Sequence, residues 1–311
     1  MGHVEDMQER IDAGQVIVID GGMGSEIEAR GVAMDDHAWC ALANVDHPAT
    51  VQQVHEDFIR AGADVIIANT FPAGRPALEA AGRGESFEEI NRAAVRAALR
   101  ARDAVGRPTV VAGSLGALPT ATDITFRERG LATEELRDAF AQQAFVLADA
   151  GADLLALEML GPGTYAVPAL EGARSAGLPI WLGVSVLRLL PDGETDYGTL
   201  ADSADRAAFE DLLESLLADD LAAVTVMHSN LDQVLPAIDA IRTRWSGPLG
   251  VYPHVGEFDP PHWRFRDIAP EAFLDEAREW VRHGAQMVGG CCGIRPAHIA
   301  ALRRGWPTAP A

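Results

Sequence analysis

The chain contains no lysine, so all 25 of its basic residues are arginine. Enzymes that form a Schiff base with a carbonyl substrate or with pyridoxal phosphate, and those that use lysine as a base, need a primary amine that no side chain here supplies. Cysteine is nearly as scarce. The three residues Cys40, Cys291 and Cys292 are odd in number and two are adjacent, which is not the disulfide framework of a secreted protein and points to a reducing compartment. Long apolar runs are missing as well. No stretch of 18 apolar residues occurs, and Met1 to Arg10 carries acidic residues where a signal peptide would carry positive charge, so a soluble cytoplasmic protein without a membrane partner is expected. Positive charge is outnumbered by 46 acidic residues, giving a net charge of -21. Nucleic acid and anionic membranes are therefore poor partners, whereas a cationic substrate is better tolerated.

What is present is apolar and alternating. A hydrophobic content of 48% over 311 residues is enough for one large core, and a single barrel domain spanning 1–311 is expected. Whether copies associate into a homo-oligomer is left open. Eight short apolar runs read as strands: Val16–Gly22, Asp64–Phe71, Thr109–Leu115, Asp153–Leu160, Ile180–Val186, Ala222–Ser229, Leu249–His254 and Gln286–Cys291. Helical patterns such as Thr50–Ala61 and Ser86–Val105 lie between them, with apolar residues three and four apart. The sequences Ala61-Gly62-Ala63-Asp64, Ala150-Gly151-Ala152-Asp153 and His283-Gly284-Ala285 each read as a glycine-stopped helix followed at once by a strand. Eight such units predict an α/β fold, a closed (β/α)8 TIM barrel with its active site at the C-terminal strand ends. Three long loops fall at that end: Gly116–Leu131, Leu187–Ala204 and Val255–Pro270.

The sharpest chemical signal is Gly289-Gly290-Cys291-Cys292-Gly293, at the end of the eighth predicted strand. Adjacent side chains on a regular strand point to opposite faces, so both sulfurs reach one point only if the backbone bends, which the glycines permit. His228, ending the sixth strand, can add a nitrogen and complete a Cys2His metal site with an open position. On spacing alone the pair also fits inert core thiols or a vicinal disulfide, and His228 also fits a hydrogen-bonded structural histidine.

In order and spacing, the chain resembles the homocysteine S-methyltransferase family over about Val16 to Ile299. The matching segments are Asp20-Gly21-Gly22-Met23-Gly24-Ser25-Glu26, Ala61-Gly62-Ala63-Asp64 through Ala68-Asn69-Thr70-Phe71, Gly113-Ser114, Leu155-Ala156-Leu157-Glu158, Val251-Tyr252-Pro253, Gly256-Glu257, and the cysteine motif with Pro296 and His298. The resemblance implies a barrel whose Zn2+ is held by three cysteines, one after the sixth strand and two after the eighth, and activates homocysteine as a thiolate that attacks a methyl group. Cys291 and Cys292 match two of these ligands, while Met227-His228 replaces the usual Asn-Cys, so the ligand set expected here is His228, Cys291 and Cys292. Imidazole for thiolate makes the site one unit more positive, which lowers a bound thiol's pKa but weakens its sulfur as a nucleophile. A sulfonium donor such as S-methylmethionine offsets that loss.

The same resemblance implies that Asp20, Gly21, Gly22 and Glu158 hold the acceptor's ammonium group; Asn69, Ser114 and Tyr252, in the matching segments, are further expected substrate contacts, as is Glu26, which fits orienting the first loop or facing a helix dipole equally well. Glu158, Asp20 and His254 are the expected catalytic groups. His254 stands where asparagine is usual and reads as a fourth ligand, a partner of a ligand, a proton relay, or a hydrogen-bonded histidine of the barrel mouth. Met159 and Leu115-Gly116-Ala117 depart from the family pattern. Trp39, Tyr252 and Trp263 are candidates for a cationic-methyl cage or for core packing, and Cys40 reads as packing. Gly21-Gly22-Met23-Gly24 belongs to the first loop and is not a dinucleotide-type fingerprint, which ranks S-adenosylmethionine and betaine behind a small sulfonium as donor. The expected function is zinc-dependent methyl transfer from a small-molecule donor to a thiol. The alternatives are a metal-dependent hydrolase or demethylase, and a non-catalytic binding protein.

Overall fold

A computed structural model describes residues 2–116, 132–163, 165–190, 195–259, 262–264 and 268–307, with the side chains of 189, 195, 257–259 and 262–264 excepted. The strands of the barrel are β1 (Ile17–Val18), β2 (Val65–Ile67), β3 (Val110–Gly116), β4 (Leu154–Leu160), β5 (Ile180–Val184), β8 (Ala223–Met227), β9 (Leu249–Tyr252) and β12 (Met287–Val288). Seven fall inside the predicted runs, and β3 runs one residue past its predicted end, to Gly116. They pair in parallel in the order β1-β12-β9-β8-β5-β4-β3-β2, and a parallel bridge between Ile19 and Val65 closes the ring. The expected (β/α)8 barrel is therefore the observed fold.

Period-2 alternation explains why these runs are apolar throughout. Ile17, Ile19, Val65, Ile67, Val110, Ala112, Leu154 and Ala156 form the inner column with Trp181 and Met287. Their neighbours Val18, Ile66, Val111 and Leu155 pack outward against the helices. Helix α1 (His3–Asp12) adds Met7 and Ile11 to the inner column, while Cys291, Cys292, Met227 and Tyr252 belong to its opposite end.

The helices that follow are α2 (Met23–Ala29), α3 (Ala43–Asp46), α4 (Pro48–Ala61), α5 (Arg75–Ala80), α6 (Phe87–Val105), α7 (Thr133–Asp149), α8 (Ala166–Arg174), α9 (Ser203–Leu216), α10 (Leu231–Arg242), α11 (Pro270–Arg282) and α12 (Pro296–Gly305). The three expected helix stops carry the left-handed backbone that glycine tolerates, at Gly62 (φ 115°), Gly151 (φ 102°) and Gly284 (φ 100°). After two of them an aspartate turns back to the sheet: Asp64 accepts a hydrogen bond from Val18 N at 2.9 Å and Asp153 from Val111 N at 2.8 Å. Two of the long loops contain antiparallel hairpins, β6 (Leu187–Leu189) with β7 (Thr195–Tyr197) and β10 (Glu257–Asp259) with β11 (His262–Arg264). In the third, residues 117–131 lie outside the described set.

His55 on α4 is fully buried, and neither ring nitrogen has a hydrogen-bond partner among the described residues. Burial lowers its pKa from 6.5 to about 3. Between those values the unfolded chain binds a proton that the folded chain does not. Stability is thus full above pH 6.5 and is lost as pH falls through that window, by up to about 1.4 kcal/mol per pH unit. Urea unfolding of the wild type and His55→Leu at several pH values checks this: the variant should lose that part of the slope, and an unchanged slope would contradict it.

Candidate active site

The ends of β1, β2, β4, β8, β9 and β12 line the mouth, and β3 supports it through Ser114. Strand β12 stops at Val288, and Gly289 and Gly290 lead the chain out of the sheet, so Cys291 and Cys292 no longer alternate between faces. Their sulfurs lie 3.6 Å apart, both residues are buried, and no disulfide joins them. Cys291 N donates to Pro253 O at 2.7 Å and Val255 N to Cys292 O at 2.9 Å, which pins this turn to the segment after β9. Gly22 is required beneath it, because a Cβ there would sit 2.8 Å from the Cys291 carbonyl oxygen.

Opposite the thiols, β4 is irregular. Its register against β5 shifts between Leu157 and Leu160, and Met159 adopts φ 60°. Such a bulge re-aims one side chain, here Glu158, and Tyr165 OH holds it by donating to Met159 O at 2.7 Å. His228 also lies in the left-handed region, at φ 46°. Its turn is braced by Ser185 Oγ and Ser229 Oγ, which donate to Met227 O at 2.6 and 3.1 Å. Positive φ in a non-glycine residue costs about 1 kcal/mol or more and is concentrated at functional sites.

These two distortions bring Glu158 and His228 together. His228 Nε2 is 2.8 Å from Glu158 Oε2, and since a carboxylate accepts, the hydrogen lies on Nε2. Ser114 Oγ donates to the other oxygen, Oε1, in a short hydrogen bond. Phe71 stacks on the His228 ring with centroids 5.2 Å apart, at 23°. Burial alone would lower the His228 pKa, but the neighbouring Cys291 sulfur and Glu158 outweigh it and raise it to about 10. A hydrogen bond to Cys292 and burial push the Cys291 thiol well up, with His228 opposing.

The other expected residues occupy several layers. Asp20 is fully buried. Its Oδ2 accepts from Ile67 N at 2.8 Å and its Oδ1 from Tyr252 OH at 3.1 Å, and Tyr252 OH also reaches Gly21 O at 2.9 Å. Burial raises the Asp20 pKa well above the usual carboxylate range, against the hydrogen bonds that lower it. Asn69 Nδ2 donates to Cys40 O at 3.0 Å and Asn44 Oδ1 at 2.9 Å, while Cys40 Sγ donates to Asn69 Oδ1 at 3.0 Å. Cys40 therefore braces the wall. Glu26 lies beside the first loop, 3.6 Å from Arg30 and 3.8 Å from Arg295. His254 Nε2 pairs with Asn230 Oδ1 at 3.0 Å and its ring tilts against Tyr197 at 4.6 Å. Burial, with His228 nearby, lowers the His254 pKa to about 3, which makes it a neutral imidazole.

A cleft of about 400 Å3, counting space open to solvent, connects these groups to the surface. Its described walls include Gly22, Asn69, Glu158, His228, Tyr252, Cys291 and Cys292 from the expected set, but not Asp20, Gly21, Glu26, Ser114 or His254. Trp39 and Tyr252 line it, and the Trp263 side chain lies outside those described. Phe71 and Pro72 also line the cleft, and sequence reasoning assigned neither a role. The signal for Phe71 was its place at the end of the second predicted strand.

The donor set suits a thiophilic metal in part. Two thiolates sharing a tetrahedral zinc at about 2.3 Å lie roughly 3.8 Å apart, close to the 3.6 Å seen here. Among the described residues, however, no three His, Cys, Asp or Glu side chains converge as a preformed metal centre. His228, the third donor expected from the sequence, is the one that Glu158 holds.

A buried pair of thiols beside a histidine, at the C-terminal mouth of a (β/α)8 barrel, marks the class as a thiol-chemistry enzyme. Comparison with known proteins gives the family. The family model for homocysteine S-methyltransferase matches residues 17–305, and the chain belongs to that family. Homocysteine S-methyltransferase 1 of Zea mays is 29% identical over 328 residues, covering 98% of each chain. The homocysteine S-methyltransferase of Escherichia coli strain K12 is 30% identical over 312 residues, covering 94% of this chain and 96% of that one. The crystal structure of the homocysteine methyltransferase MmuM from Escherichia coli in its metallated form aligns with a TM-score of 0.74 at 26% identity, over 96% of this chain and 99% of that one.

Proposed function

We propose that this methyltransferase moves a methyl group from a small sulfonium donor, of the S-methylmethionine type, to the thiol of homocysteine, giving methionine. The observation that carries this reading is the Cys291–Cys292 pair, its sulfurs 3.6 Å apart on the wall of an aromatic-lined cleft in a chain of this family. His228, Cys291 and Cys292 would hold Zn2+, which when bound supplies Lewis acidity that favours the thiolate form of the acceptor.

The chain's own residues do the rest. Trp39, Phe71 and Tyr252 line the cleft, and aromatic rings suit a cationic methyl-bearing group. Asp20 orients Tyr252 from behind, and through the Tyr252 hydroxyl the Gly21–Gly22 loop. In the transfer, the bond from acceptor sulfur to methyl carbon forms as the methyl–sulfonium bond breaks. The electron pair leaves with a neutral thioether, and the thiol proton passes to solvent. Alignment of two bound sulfurs accounts for much of the rate gain. The same proposal takes residues 1–311 as one homocysteine-binding-like domain and places it in the cytoplasm. Among the described residues, no helix is long and apolar enough to cross a membrane.

The test is product analysis with methyl-13C sulfonium donor and homocysteine. Label should appear in methionine only when the thiol is present. Label released as methanol without any thiol would sink this reading in favour of hydrolysis.

A further inference from the structure

An imidazole is a different kind of ligand from the thiolate that the family pattern places after the sixth strand. A thiolate offers one donor atom, whereas an imidazole offers two nitrogens on a ring that rotates, so one nitrogen must be tied down before the other can be aimed. In this chain Nε2 is tied, 2.8 Å from Glu158 Oε2. The carboxylate is itself fixed on its other side by Ser114 Oγ, and Ser114 N donates to Thr70 Oγ1 at 2.9 Å. Phe71 covers the ring face. The ring's other polar neighbour is the Cys291 sulfur. Every element of this arrangement lies off regular backbone geometry or reaches across strands, from β3 through the β4 bulge to the left-handed turn after β8.

We propose that Ser114 and Glu158 form a brace that fixes the His228 ring with Nδ1 free for the metal beside Cys291, so that Glu158 acts as a positioning residue for this ligand. The inference rests on the proposed metal site. It assigns Glu158 a role that the family resemblance does not, because both of its oxygens already have protein partners and the ammonium of the acceptor is not its first one. The brace and the histidine belong together: with cysteine at 228 there would be no ring to orient.

The test is a double-mutant cycle read by zinc affinity, using competition with a chromophoric chelator on the full chain. Glu158→Gln should weaken zinc binding by about 10- to 100-fold, the range for partners that orient a ligating histidine. Ser114→Ala should act in the same direction and serves if Glu158→Gln does not fold, as judged by circular dichroism. In a His228→Cys background, Glu158→Gln should change zinc affinity by less than about threefold, because no imidazole remains to be oriented. Equal losses in both backgrounds would overturn the brace, as would a wild type that binds no zinc. So would zinc affinity unchanged by Glu158→Gln with a raised KM for the thiol, which would make Glu158 an ammonium clamp. Methyl transfer is assayed separately. Absent transfer with the cycle intact would sink the functional reading and leave the brace standing, whereas normal transfer with a null cycle would sink the brace alone.

Discussion

Cys291→Ser is expected to lower kcat/KM for methyl transfer by about a thousandfold, or roughly 4 kcal/mol of transition-state stabilisation, while the barrel stays folded. A serine hydroxyl nearly matches the thiol in size but keeps its proton at neutral pH and is a poor ligand for a thiophilic metal. The loss should therefore appear in chemistry before stability. Cys291 is 8% exposed, and its backbone is held by Pro253 O and Ile294 N, contacts that serine keeps. Steady-state kinetics with metal analysis on the same samples checks this. A variant that retains more than about a tenth of wild-type kcat/KM would show that the thiol pair is not the centre of the reaction.

The second large effect lies at the other end of the barrel. Asp64, 3% exposed, receives Arg10 at 3.1 Å, Arg107 at 3.0 Å and Arg303 in a short contact, as well as Val18 N of β1. Removing it leaves three guanidinium groups facing one another without their shared counter-charge, in a chain otherwise rich in acid. Breaking a buried ion pair from one side costs about 3 to 5 kcal/mol, and Asp64→Ala should lose stability of that order in urea unfolding. The variant should still transfer methyl groups wherever it remains folded, since the N-terminal end of a barrel carries stability and the C-terminal end chemistry. A loss below about 1 kcal/mol would mean that the arginines are satisfied without it.

Much of this was legible in the sequence. The eight strands were readable because apolar residues on both faces can be buried only in a sheet covered outside and filled inside, as Ile17 and Val18 show on opposite faces of one strand. The bend at Cys291 was readable from Gly289 and Gly290. The pairing of Glu158 with His228 was not. It depends on a bulge at Leu157–Leu160 and on positive φ at Met159 and His228; methionine gives no sign of such a backbone, and a single histidine, though enriched there, does not announce one. Nor does a charge count reveal that arginines far apart in sequence meet at Asp64. The two hairpins were read only as long loops, because strands of three residues carry too little alternation to announce themselves. In the sequence Phe71 is only one residue of a motif, and its stacking on His228 is visible only in the fold.

The central claim is that two thiolates and one imidazole, in place of the three thiolates implied by the family resemblance, hold the metal that activates the acceptor. Zinc-edge X-ray absorption on the purified full-length protein tests it most directly. The account predicts about one zinc per chain with two sulfurs near 2.3 Å and nitrogen near 2.0–2.1 Å, an imidazole signature that disappears in His228→Ala, and a third sulfur on adding homocysteine. Absence of bound zinc, a first shell without sulfur, or an imidazole signature that survives His228→Ala would contradict it.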